Sequence, residues 1–139
     1  MSTGLDVFDT TIQKTNMILE EIEEHYHWQD RRHQAYAILR LVLTTLRDRL
    51  TVEDAARFGA QLPLILRGAY YDQWSPGKTP IKMNKQEFIN HIAEHFAYDV
   101  QGGHEKLIAF VIKTVMKHIS YGEEEKIKGM LPKDLADLV

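Results

Sequence analysis

Ile38-Leu39-Arg40-Leu41-Val42-Leu43-Thr44-Thr45-Leu46-Arg47-Asp48-Arg49-Leu50 is the stretch on which the fold turns. Ile38, Leu39, Val42, Leu43, Leu46 and Leu50 recur every three or four residues, the spacing of one helix face. Shifted by 69 positions they fall on Leu107, Ile108, Val111, Ile112, Val115 and Ile119. Thr51 then falls on Ser120, and Leu62-Pro63 on Leu131-Pro132. Upstream, Leu19, Ile22, Glu24, His25 and Tyr26 fall on Ile89, Ile92, Glu94, His95 and Phe96 at an offset of 70, so one residue has been gained or lost between the blocks. A helical unit written twice, each copy with a wide apolar stripe, reads as two units that hide those stripes against each other.

The pattern predicts a first long helix over residues 7–27, with Phe8, Ile12, Leu19, Ile22 and Tyr26 as its apolar stripe. Its counterpart starts at Asn84, a good N-cap residue, with Glu87 three positions on to close a capping box and Phe88, Ile89, Ile92 and Phe96 facing inward. The second long helices are read over 32–50 and 105–119. Thr51 with Asp54, and Ser120 with Glu123, look like capping boxes that start shorter helices, which end before Pro63 and Pro132. A further helix rich in aromatics is expected over 64–74, and Ser75-Pro76-Gly77-Lys78-Thr79-Pro80 breaks it. No alternating apolar pattern is present. The expectation is all-α: a compact bundle of two pseudo-symmetric repeats (7–74 and 84–139, linker 75–83), each with two long and one or two short helices, in a single domain 1–139.

Composition narrows the function classes. The chain has 139 residues, a net charge of −3 and no cysteine, which excludes disulfides and thiolate chemistry and offers no general positive field for nucleic acid. No apolar run approaches the roughly 20 residues of a membrane span, and the first residues lack a secretory signal's pattern, so a cytoplasmic protein is expected. All seven arginines (Arg31, Arg32, Arg40, Arg47, Arg49, Arg57, Arg67) lie in the first half; the second half carries only lysine. A guanidinium fork binds carboxylates and carbonyls differently from an ammonium, so the two halves are expected to share a scaffold and differ in surface role.

Arg47-Asp48-Arg49-Leu50, Glu53-Asp54-Ala55-Ala56, Ala60-Gln61-Leu62-Pro63, Leu66-Arg67-Gly68 and Tyr70-Tyr71 together resemble one bacterial family, domain of unknown function twenty-two sixty-seven. The resemblance covers nearly the whole chain, including the second Leu-Pro block. It implies a compact helical protein without an assigned activity, and it carries no catalytic residues or cofactor.

Three constellations remain to be weighed on their own chemistry. Tyr36, Arg40 and Arg47 share one side of the second helix, and Arg67, Tyr70, Tyr71 and Trp74 follow on the short helix. Arginine with aromatics is the usual composition of recognition sites, suited to an acidic peptide or a small anionic ligand. The competing reading, which outweighs it, places Tyr71 and Trp74 in the core and pairs Arg40 and Arg47 with Asp48, Asp72 or Glu53. His91-Ile92-Ala93-Glu94-His95 matches H-x-x-E-H, a zinc pattern, but a catalytic zinc needs a third ligand that no motif supplies. Glu24 and His27 have the Glu-x-x-His spacing of di-iron bundles, while the second copy offers Glu94 and Ala97, so a solvated acidic turn explains the run Glu20 to Glu24 better. With no cofactor indicated, the expected function is a non-catalytic binding or regulatory module acting through protein contacts. The alternative is a small-ligand or metal-dependent enzyme with a pocket between the repeats.

Overall fold

A computed structural model describes residues 2–119, 124–131 and 133–138. The fold is all-α: α1 Asp6–Tyr26, α2 Arg32–Arg49, α3 Val52–Ala60, α4 Leu64–Tyr71, a 3-10 turn at Pro76–Lys78, α5 Lys85–His95, α6 His104–His118, α7 Glu124–Met130 and α8 Lys133–Ala136. Among the described residues there is no strand, and no helix is long and apolar enough to cross a membrane.

Helix α2 is the hub. It packs on α1, α4, α5 and α6, and α1 packs on α6 as well. The stripe Ile38, Leu39, Val42, Leu43 and Leu46 is almost wholly buried, as is the matching stripe Leu107, Ile108, Val111, Ile112 and Val115 of α6. Each of these side chains contributes roughly 1.5–3 kcal/mol by leaving water. Trp28, Phe58, Leu66, Tyr70, Phe88 and Phe96 close the same core.

Local chemistry sets the helix ends. At α5, Asn84 Oδ1 accepts the Glu87 amide (2.8 Å) and Glu87 Oε1 accepts the Asn84 amide (3.1 Å), a complete capping box. At α3 only half of the expected box is present: Thr51 Oγ1 accepts the Asp54 amide at 3.2 Å. The box read at Ser120 and Glu123, and the helix end read at Pro132, lie outside the described residues. Helix α1 ends where His27 turns left-handed (φ 60°) and donates its amide to Glu23 O.

Three expectations are revised. Helix α4 ends at Tyr71, three residues early: the backbone leaves the helical region at Asp72 (ψ 126°), and Gln73 follows with a left-handed φ of 60°. The apolar stripe of α1 does not extend to its start: Phe8 is 45 % exposed, whereas Thr11 and Thr15 are buried. Pro63, before α4, offers no side-chain cap, and Thr11 Oγ1 accepts the Ile65 amide (3.0 Å) instead. At Thr11 the inner face of α1 is polar because it caps another helix. The acidic run also divides. Glu20 and Glu24 are exposed, but Glu23 is buried and accepts a hydrogen bond from Arg32 Nε at 2.9 Å.

Candidate functional site

The arginine and aromatic residues come together around the end of α4. Arg47 is buried on α2; its Nε donates to Asp48 (2.8 Å) and its Nη1 donates to the carbonyls of Tyr70 (2.7 Å) and Asp72 (3.0 Å). Arg40, exposed two turns earlier on the helix, reaches the Asp72 carboxylate at 3.4 Å. Tyr36 is 39 % exposed on the same helix. Arg67 sits apart, at the α3–α4 turn, and donates to the carbonyls of Gly59 (3.1 Å), Ala60 (3.2 Å) and Leu62 (3.1 Å). These are the orphan acceptors that every helix end leaves, and the planar fork meets several at once.

The rings form a continuous run from Tyr70 through Tyr71 to Trp74, with centroids 5.0 and 5.2 Å apart. Tyr70 is fully buried and donates its hydroxyl to Ala55 O at 2.8 Å; burial pushes its phenol far above the usual range. Tyr71 donates to Ala56 O at 3.3 Å. Both rings lie over Gly59, where a Cβ would stand 2.6 Å from Tyr71 Cζ and 2.9 Å from Tyr70 Cε2, so only glycine fits without a shift. Apart from the Arg47 Nε–Asp48 pair, the polar atoms of Arg47, Arg67, Tyr70 and Tyr71 named above are thus directed at backbone acceptors within the fold.

His91, Glu94 and His95 lie on the outer face of α5. The two histidine rings stand 4.5 Å apart, and His95 Nδ1 lies 2.8 Å from His91 O. Among the described residues no three His, Asp or Glu side chains are placed to hold a metal ion. Glu24 and His27 are both exposed.

A sizeable concavity lies elsewhere. A groove of about 730 Å³ runs between the first half of α1, the α3–α4 turn and the end of α6, lined by Val7, Thr10, Lys14, Leu64, Arg67 and His118 among others. Of its lining residues, Val7 (59 %) and Leu64 (47 %) are large exposed apolar side chains, and their chain neighbours Phe8 (45 %) and Ile65 (43 %) are exposed as well. This groove is not legible as a motif, although one of its lining residues carries a signal: Thr11 falls on the buried line of α1, where a simple bundle would place an apolar residue.

Beneath it α1 and α6 are joined by charge. Glu21 accepts Lys117 Nζ at 2.7 Å and lies 3.0 Å from His118 Nε2. Partial burial works to raise the Glu21 carboxyl, and the hydrogen bonds and charges of Lys117 and His118 outweigh it, holding the group below its ordinary value.

No curated protein matches the chain in sequence. The profile of one family, described as an uncharacterized conserved protein (DUF2267), matches residues 15–138, and the chain belongs to that family.

Proposed function

We propose that the protein is a non-catalytic cytoplasmic binding module, a single domain of two similar helical units, that acts through protein contacts at the groove beside α1. The observation that carries this reading is a sizeable concavity lined by two exposed apolar side chains, Val7 and Leu64, with Phe8 and Ile65 exposed next to them in the chain. Large side chains clustered at one concave place mark contact surfaces more often than scattered ones do. The groove wall is firm, because Arg67 fastens the α3–α4 turn through three carbonyls and Thr11 fastens α4 to α1. A wall held in this way loses little entropy when a partner docks. Lys14 lines the same groove and forms no ion pair among the described residues, which suits an acidic residue on the partner. The partner of this chemistry is an amphipathic helix with apolar anchors and one carboxylate.

The test starts with affinity capture from the native host, using the wild-type chain and the Val7→Asp and Leu64→Asp variants, followed by reconstitution with the purified partner. A direct complex that each exposed-site substitution weakens about tenfold or more supports the reading. A partner bound equally well by both variants, or no direct complex on reconstitution, overturns it.

A further inference from the structure

A second concavity, away from the groove, has a different chemistry. It is a cleft of about 420 Å³ between the end of α1 and the start of α6, lined by His25, Tyr26, Gln101, Gly102, Lys106, Ala109, Phe110 and Lys113. Its size falls in the range of roughly 300–1,000 Å³ common for small-ligand sites. The lining contains two lysines and no carboxylate, in a chain whose net charge is −3. Neither Lys106 nor Lys113 forms an ion pair among the described residues, whereas Lys85 and Lys117 each meet a glutamate. They stand seven residues apart on α6, two turns or roughly 10 Å along the axis. Ala109 and Phe110 lie between them on the same side of the helix.

The opposite wall is aromatic. The His25 ring stacks on Phe110 with centroids 4.0 Å apart and planes 17° from parallel, and Tyr26 meets His25 edge-on at 4.9 Å. Phe110 therefore fixes His25 from one side, and the histidine side chain is exposed. A flat, braced ring beside two free ammonium groups is the chemistry that recognises an anion joined to a planar body. We infer that this cleft binds a phosphate-bearing ligand of the nucleotide class, with phosphate oxygens accepting hydrogen bonds from Lys106 Nζ and Lys113 Nζ and the base lying against His25.

The experiment is a backbone amide NMR titration of the full chain with AMP, adenosine and inorganic phosphate. AMP is expected to shift the amides of Gly102, Lys106, Ala109 and Phe110 saturably. Adenosine, which has no phosphate, and inorganic phosphate, which has no ring, are each expected to bind at least about tenfold more weakly, since either loses one half of the recognition. The pair Lys106→Ala and Lys113→Ala is expected to weaken AMP about tenfold or more while leaving the spectrum folded, because both side chains are exposed. The pair Lys78→Ala and Lys82→Ala removes the same charge elsewhere and is expected to leave affinity within about twofold. No saturable shift with AMP, shifts outside the cleft, equal loss in the two lysine pairs, or phosphate binding as tightly as AMP would each overturn the inference.

Discussion

Thr45 and Thr114 stand 69 residues apart and do the same thing; Arg47 and Met116 stand 69 residues apart and do opposite things. Both threonines are buried on their helices and donate to the carbonyl four residues back, Thr45 to Leu41 O at 2.7 Å and Thr114 to Phe110 O at 2.8 Å. Arg47 and Met116 are each 5 % exposed. One is a cation whose fork meets Tyr70 O, Asp72 O and the Asp48 carboxylate; the other is an adaptable apolar side chain that fills space. A buried guanidinium is tolerable only where acceptors wait for it. The end of α4 and the turn after it supply them in the first half. Arginines therefore fasten the first half to itself, through Arg47 and Arg67, and to the segment before α5, where Arg49 Nε donates to Met83 O at 2.9 Å. Lysines of the second half act at the surface instead, with Lys85 on Glu105 and Lys117 on Glu21.

The hardest test of this contrast is to cut the chain. If arginine ties make the first half self-sufficient, residues 1–78 should fold alone. The packing argues the reverse: α2 buries its stripe against α5 and α6, and α1 packs on α6, so the cut leaves that stripe in water. The isolated fragment is expected to melt without a cooperative transition in calorimetry and to aggregate. A sharp, reversible melt would show that polar ties outweigh the shared core.

A smaller effect separates Arg47 from Met116 directly. Arg47→Met installs the side chain of the other half. It leaves two carbonyls and a carboxylate without their donor, and a loss of about 3–5 kcal/mol is expected in urea unfolding, as for a broken buried pair. Arg47→Lys should recover little of it, since one ammonium cannot span the same acceptors. Met116→Leu, a change within the apolar core, should cost less than about 1.5 kcal/mol. Equal losses at the two positions would remove the distinction.

The parts of this molecule legible in its sequence are those governed by periodicity. The stripe from Ile38 to Leu46 places α2 within one residue of its observed end at Arg49, and Asn84 with Glu87 marks the start of α5. Family membership is legible too, from the run Arg47 to Tyr71. What escapes is burial decided by a neighbour. Thr11 is buried because α4 needs a cap, and Glu23 because Arg32 reaches back to it; neither reason is written in the residues around it. The candidate surfaces escape for a related cause. The groove is assembled from residues left over when the stripes are accounted for, such as Val7 and Leu64, and the lysine cleft from two ends of chain some eighty positions apart.

The finest test concerns the tie that crosses between the halves, Glu21 with Lys117 and His118. Its carboxyl titrates below the ordinary value in the folded chain, so folding favours the charged form. For a depressed carboxyl the contribution to stability is fully present above the unfolded value, about 4.3, and fades as pH falls through the lower folded value. Glu21→Gln should therefore lower the melting temperature at pH 7, and the gap between variant and wild type should close as the solution is taken toward pH 3. The side chain is partly exposed, so screening keeps the effect to about 1 kcal/mol or less. Salt should shrink the gap at pH 7 as acid does. A gap that persists unchanged at low pH would mean that Glu21 contributes by packing alone. The lysines of the second half would then be surface charges that do not tie the halves together, and the contrast with the first half's arginines would be one of presence against absence.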